Sequence, residues 1–234
     1  MTAMKDVSGS DAAKRMAAEK ACELVKDGMA VGLGTGSTTA YAIKLLGKRV
    51  QEDGLDIVGV PTSYQSEALA IECGIRVVPL VEKPVLDIDI DGADQVDSSL
   101  NVIKGGGAAH TREKVVSYSA RQFIVVIDDK KMKDVLSRPV PIEVLPYAVR
   151  LVSTKIADMG GKCAWRTGSG KDGPVISDNG NVIMDCDFGT INKPALLADE
   201  LSRVPGLVEH GIFTNASAVY VGYEDHVERF EKKI

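Results

Sequence analysis

Residues 87–114 read DIDIDGADQVDSSLNVIKGGGAAHTREK, with five aspartates in eleven positions, then a lysine, three glycines and a Thr-Arg-Glu-Lys. Neighbouring carboxylates can hold sugar hydroxyls or share proton transfer. On a strand, Asp87, Asp89 and Asp91 point to one face and Ile88 and Ile90 to the other. A central strand of a doubly wound sheet is normally apolar on both faces, and ionised aspartates there need partners or water. Two readings follow. Either this is an edge strand with one wet face, or it delivers Asp91 and Asp94 to the carboxyl end of a parallel sheet, where such sheets bind ligands.

Lys104-Gly105-Gly106-Gly107 offers consecutive N–H groups for an anion nest beside a cation able to stabilise an oxyanion. Taken alone it is equally a flexible loop. Thr111 reads as a helix N-cap and Glu113 as a first-turn carboxylate that the helix dipole keeps ionised. That suits an ordinary surface residue or a general base. His110 reads as an incidental loop histidine. Upstream, Gly32-Leu33-Gly34-Thr35-Gly36-Ser37-Thr38 joins a strand to a helix, where glycines admit a ligand and helix-start N–H groups attract phosphate. Thr35, Ser37 and Thr38 add hydroxyls. The spacing is GxGxG rather than GxGxxG, and no Gly-Lys-Ser/Thr follows, so neither a dinucleotide fingerprint nor a Walker loop is present.

The elements that must position these groups follow from hydrophobic period. Helical spacing begins at Asp11, a candidate N-cap, and stops at Gly28; an apolar strand covers 29–34 and a helix follows the glycine turn. Strands at 56–63, 75–80, 85–90 and 122–128 alternate with helices at 63–74 and 111–121. This alternation predicts a Rossmann-like doubly wound parallel sheet. After Lys131, three prolines in 137–149 signal a linker, and the rest reads as a second, smaller α+β domain. The expected limits are 1–135 plus 213–234 for the large domain and 136–212 for the small one, with AVYVGY as the last strand.

The 234 residues suffice for two modest cores, and a net charge of -5 without basic runs argues against nucleic-acid binding. No apolar stretch is long enough for a membrane span, and the first residues lack a signal-peptide core. Cys22, Cys73, Cys163 and Cys186 form no CxxC pair and read as free thiols in a reducing cytoplasm.

Taken in order, VGLGTGST, DGAD, KGGGAA-x-TREK and an apolar strand ending in Asp-Lys resemble ribose-5-phosphate isomerase of the A type, from about Lys14 to the final strand. The resemblance implies an enzyme of the pentose phosphate pathway that interconverts ribose 5-phosphate and ribulose 5-phosphate without a metal or organic cofactor, as a homodimer or homotetramer. It implies a substrate-binding turn at Thr35, Gly36, Ser37 and Thr38. Asp91, Gly92, Ala93, Asp94, Lys104, Gly105, Gly106 and Gly107 would surround the reacting end. Glu113 would be the proton acceptor, Lys131 and less directly Lys14 would bind substrate, and Thr62-Ser63 is a weaker contact. Ring opening stays open between Asp91, Asp94 and Lys104. Two departures stand out: Gln95 where the pattern continues with glutamate, and His110 at a commonly apolar place. The competing expectation is a non-catalytic phosphosugar-sensing domain, which would tolerate loss of Glu113 or Lys104.

Overall fold

The computed structural model describes residues 9–170 and 172–232. In chain order the elements are α1 (Gly9–Cys22), β1 (Ala30–Leu33), α2 (Ser37–Glu52), β2 (Val58–Pro61), α3 (Tyr64–Glu72), β3 (Arg76–Val77) and β4 (Ile88–Asp91). Two short strands, β5 (Gln95–Val96) and β6 (Val102–Ile103), precede α4 (His110–Ser119) and β7 (Phe123–Asp128). Then come β8 (Val140–Val144), α5 (Val149–Asp158), β9 (Lys162–Trp165), β10 (Val182–Asp187), α6 (Pro194–Ser202), β11 (Leu207–His210), β12 (Ile212–Phe213), β13 (Ala218–Gly222) and β14 (Val227–Glu231).

The first compact unit comprises the chain up to Gly92, Val116–Met132 and the chain from Ala216. Its sheet has seven strands in the order β14-β13-β7-β4-β1-β2-β3, parallel except for β14. The chain winds outward from β1 through β2 to β3, then returns to β4 and winds the other way. The direction of winding therefore switches between β1 and β4, where open α/β sheets place ligands. The core packs Ala17, Ala21, Val31, Leu33, Ile43, Leu46, Ile88, Ile90 and Val126 together. This is the expected doubly wound α/β sheet, and β4 is its central strand. The edge-strand reading of the aspartates is therefore corrected.

The second unit comprises Ala93–Val115 and Lys133–Asn215. It holds an antiparallel sheet in the order β11-β8-β10-β9 and a small sheet in the order β12-β6-β5. Residues 93–115, expected with the large domain, cluster here because β6 pairs with β12. Ile103, Leu136, Val140, Ile142, Val144, Val152, Ile156, Met184 and Leu201 form its core.

Several expectations change. The helix expected from Asp11 to Gly28 starts at Gly9 and stops at Cys22, and Arg49 donates to Cys22 O at 2.7 Å and Val25 O at 3.0 Å. Those bonds satisfy carbonyls at the helix end that no further turn would occupy. The proline-rich 137–149 stretch is not a linker, since β8 runs through it with both neighbours hydrogen-bonded. Pairing with β11 stops at Ile142, one residue before Pro141, whose carbonyl accepts Gly211 N at 2.7 Å. Proline is thus tolerated where its missing N–H falls outside the ladder. The chain also continues beyond AVYVGY into β14. Cys163 and Cys186 are not free thiols: they face each other in register on β9 and β10 and form a disulfide, whereas Cys22 and Cys73 remain free.

Candidate active site

In the first unit, the glycine turn and the aspartate strand explain each other. Gly32 lies opposite Asp89 in the β1–β4 register. A Cβ on Gly32 would come within 2.5 Å of Asp89 Oδ1, and one on Gly34 within 2.1 Å of Asp91 Cγ. These glycines make room for buried carboxylates, so the face carrying Asp89 and Asp91 fits against β1 while Ile88 and Ile90 join the core. Asp91, at the carboxyl end of β4, accepts hydrogen bonds at Oδ1 from Gly92 N (2.6 Å), Thr35 N (3.1 Å) and Thr39 Oγ1 (3.3 Å).

The hydroxyls of the turn divide. Thr35 Oγ1 lies 2.8 Å from Thr62 Oγ1 and 2.7 Å from Ser63 Oγ. That ties the turn after β1 to the turn after β2, where Ser63 caps α3. Ser37 is exposed and Thr38 buried at the start of α2. Gly36 precedes α2 with φ 112° and supplies no side-chain cap, so the first N–H groups of that helix have no capping oxygen. Lys131 closes a 3-10 turn after β7, at the same carboxyl end of the sheet, and is half-buried. Lys14 lies on α1 and pairs with Asp11 at 3.5 Å. Among the described residues that pair is its ionic contact, and no hydrogen bond or ion pair joins it to the turn.

In the second unit, Lys104 and Glu113 are both buried, with Nζ 3.4 Å from Oε2 and side-chain exposures of 2% and 4%. A surface carboxylate in a first helical turn would be exposed; this one sits with a buried ammonium, which stays tolerable only because the charges are paired. Along α4 the buried polar residues are His110, Glu113, Lys114 and Ser117, with Val116 the buried apolar one. The polar four recur at the spacing of an inward stripe that is normally apolar, and here it is polar. Asp94 is half-buried, and its Oδ2 accepts Gly106 N at 2.7 Å. Gly105 takes φ 102° and is buried, while Gly106 and Gly107 are exposed.

The sequence pattern of the family described as Ribose 5-phosphate isomerase A (phosphoriboisomerase A) matches residues 58–226. The chain belongs to this family. A ribose-5-phosphate isomerase A from Methanosarcina acetivorans is 58% identical over 94% of both chains, and one from Haloarcula marismortui 54% identical over 94% of this chain and 95% of its own. The solved ribose 5-phosphate isomerase A of Methanocaldococcus jannaschii superposes with a TM-score of 0.90 at 44% identity, covering 94% of this chain and 98% of that one. A D-ribose-5-phosphate isomerase solved with phospho-erythronic acid gives a TM-score of 0.92 at 46% identity, over 95% and 99% of the two chains.

Against the isomerase pattern, the two departures have structural accounts. Gln95 is buried, and its Oε1 accepts Ser137 N (2.7 Å) and Arg138 N (2.9 Å). An amide oxygen meets both donors without a charge. His110 is fully buried, with Nε2 3.3 Å from Glu209 O. Burial pulls its pKa down to about 4 against the opposing pull of Glu143, so the ring is neutral at neutral pH.

Thr111 is not an N-cap, because α4 begins one residue earlier. Its hydroxyl instead donates to Glu143, a buried carboxylate on β8 that also receives Ser177 Oγ (2.8 Å) and Asn181 Nδ2 (2.7 Å). Burial pushes the Glu143 carboxyl upward, yet these donors together hold it below the ordinary range. Beside it, Lys114 Nζ contacts Glu209 Oε1 (2.7 Å) and His210 O (2.6 Å). Glu143, Arg166 and Glu209 carried no motif, since only strand register brings them to α4 and the glycine loop.

Proposed function

We propose that the chain interconverts ribose 5-phosphate and ribulose 5-phosphate, with Glu113 as the base that carries a proton between C2 and C1. The observation that carries this reading is the buried Lys104–Glu113 pair beside a triple-glycine loop. The family membership and the phospho-erythronic acid bound to a relative support it. That compound is a four-carbon phosphorylated acid whose carboxylate oxygens resemble those of an enediolate.

Roles are assigned to this chain's own residues. The sugar ring opens when the anomeric hydroxyl loses a proton, the ring C1–O4 bond breaks and O4 gains a proton. Asp94 suits the first transfer, because Oδ1 makes no hydrogen bond among the described residues while Oδ2 is held by Gly106. Asp91 and Ala93 flank the same DGAD turn, and Asp91 binds substrate hydroxyls. Glu113 then removes the C2 proton; the electron pair forms C1=C2 and charge moves onto O1, giving a cis-enediolate. Lys104 and loop N–H groups stabilise that oxygen, and losing one such donor costs about 2.7–4 kcal/mol of barrier. The O2 proton then passes to O1, C2=O forms, and the C1=C2 electron pair takes the proton back from Glu113 at C1, which leaves the ketose and an ionised Glu113. The turn of Thr35, Gly36, Ser37 and Thr38, at the uncapped start of α2, binds the phosphate with Lys131 and Lys14. Holding the phosphate supplies binding energy that orients C1 and C2. We place the chain in the cytoplasm as a homodimer or homotetramer, which light scattering of the purified protein separates.

The test is incubation with ribose 5-phosphate in the presence of a chelator, following ketose formation, with Glu113→Gln alongside. Turnover that collapses in the variant supports the assignment. Turnover that survives moves the base elsewhere, and sugar-phosphate binding without ketose formation replaces the isomerase by a phosphosugar sensor.

A further inference from the structure

The glycine loop is held from outside by a residue of β9's end that no motif marks. Arg166 N donates to Ile183 O at 3.0 Å, so its place follows from the β9–β10 register. The guanidinium forks onto Asp185, with Nε 2.8 Å from Oδ2 and Nη2 bonded to Oδ1. Its remaining nitrogen, Nη1, donates to Gly105 O at 2.7 Å and Gly106 O at 3.1 Å. In a trans peptide the carbonyl and the following N–H point in opposite directions. Two carbonyls drawn to Arg166 therefore turn the Gly106 and Gly107 N–H groups the other way. One of these is seen to land on a carboxylate, Gly106 N on Asp94 Oδ2 at 2.7 Å. The other, Gly107 N–H, donates to no group among the described residues. A Cβ at Gly106 would meet Asp94 Oδ1 at 2.6 Å, so the approach is as close as glycine allows.

We propose that Arg166, braced by Asp185, is a positioning residue that fixes the Gly105–Gly107 peptides so that the Gly106 N–H orients Asp94 and the Gly107 N–H stabilises the enediolate oxygen. This rests on the isomerase reading above. Three consecutive glycines have little conformational preference of their own, and Ala108 beyond them takes φ 61°. Gly105 O also accepts Ala108 N at 3.0 Å, so the carbonyl side of the loop, held by that turn and by Arg166, is where orientation is imposed. A lysine at 166 would supply charge without the planar fork that reaches a carboxylate and two carbonyls at once.

The experiment compares the full-length wild type with Arg166→Ala, Arg166→Lys and Asp185→Asn, measuring kcat and KM, thermal stability and the amide resonances of protein labelled with 15N-glycine. The expected result is a kcat lowered about 100-fold in Arg166→Ala, the cost of a small misplacement, with KM little changed. Guanidinium ion at sub-denaturing concentration should restore part of that rate, Arg166→Lys should not, and Asp185→Asn should fall between. Amide signals of Gly105, Gly106 and Gly107 should move while that of the distant Gly160 stays. Unchanged kcat overturns the proposal. So does a loss of kcat that tracks thermal stability, resists guanidinium and leaves the three amide signals in place, since that is a merely structural role. Should Arg166→Ala not fold, the other two variants decide by the same readouts. Absence of turnover in the wild type would defeat the isomerase reading itself, and the glycine amides would still decide whether Arg166 sets the loop.

Discussion

Gly34 and Gly36 stand two residues apart and are glycines for different reasons. At Gly34 an added methyl would fall within 2.1 Å of Asp91 Cγ and 2.2 Å of its Oδ1. The buried carboxylate or β1 would have to move, and overpacking of this kind costs about 1–3 kcal/mol. At Gly36 nothing lies within 4 Å, but φ is 112°. An alanine there carries only backbone strain, of order 1–3 kcal/mol. Gly34→Ala should therefore lower the urea midpoint and also remove activity through displaced Asp91, while any loss of activity in Gly36→Ala should follow from the α2 turn alone. A Gly34→Ala protein with wild-type midpoint and kcat/KM would show that Asp91 is not closely confined. At this scale the sequence was legible where residue type and spacing are local: the alternation of Asp89 and Asp91 with isoleucines predicts the two faces of β4. It was silent on Arg166, whose partners Gly105 and Gly106 lie about sixty residues upstream and Asp185 nineteen downstream.

Among elements, legibility followed apolar content more than length: two-residue β3 lies in the apolar run at 75–80, while five-residue β14, VERFE, is largely charged and was not expected. β1, β4, β7 and β10 carry enough apolar residues to show a period, whereas β5, β6 and β12 have two residues each and show none. Pro141 misled because proline reads as a break, although register can place its missing N–H outside the ladder. The β9–β10 pair escaped for a related reason: Cys163 and Cys186 stand twenty-three residues apart, and only the pairing of the strands opposes them. Cross-linking a loop of that size stabilises by about 3 kcal/mol in the chain-entropy view. Reduction, or Cys186→Ser, should therefore lower the thermal midpoint. Differential alkylation followed by mass spectrometry should show Cys163 and Cys186 protected in the untreated protein and Cys73 modified. Quantitative labelling of all accessible thiols before reduction, with no change of midpoint after it, would mean that the paired strands hold without the bond.

Across the whole molecule, stability against acid should depend on polar groups buried around α4. Burial lowers His110 to about 4, with Glu143 pulling the other way and Lys114 and Arg166 adding to the depression. His210 is lowered to about 2 by burial, then by Lys114 and His110. Both rings are neutral in the folded chain at neutral pH. As pH falls through about 6.5 the unfolded chain takes up a proton on each, while folded His110 resists until about 4. The unfolded state then binds more protons, so stability present above pH 6.5 is lost between 6.5 and 4. For His110 alone the loss approaches roughly 3 kcal/mol. Urea unfolding from pH 7.5 to pH 4 should show a declining midpoint across that window, and His110→Leu should flatten part of the decline while leaving His210's share. Parallel curves for the two proteins would place the acid sensitivity elsewhere. The first alternative would then be the Glu143 cluster, whose lowered carboxyl would surrender its stability only at lower pH. The separation of the two curves along the pH axis therefore identifies the buried group responsible.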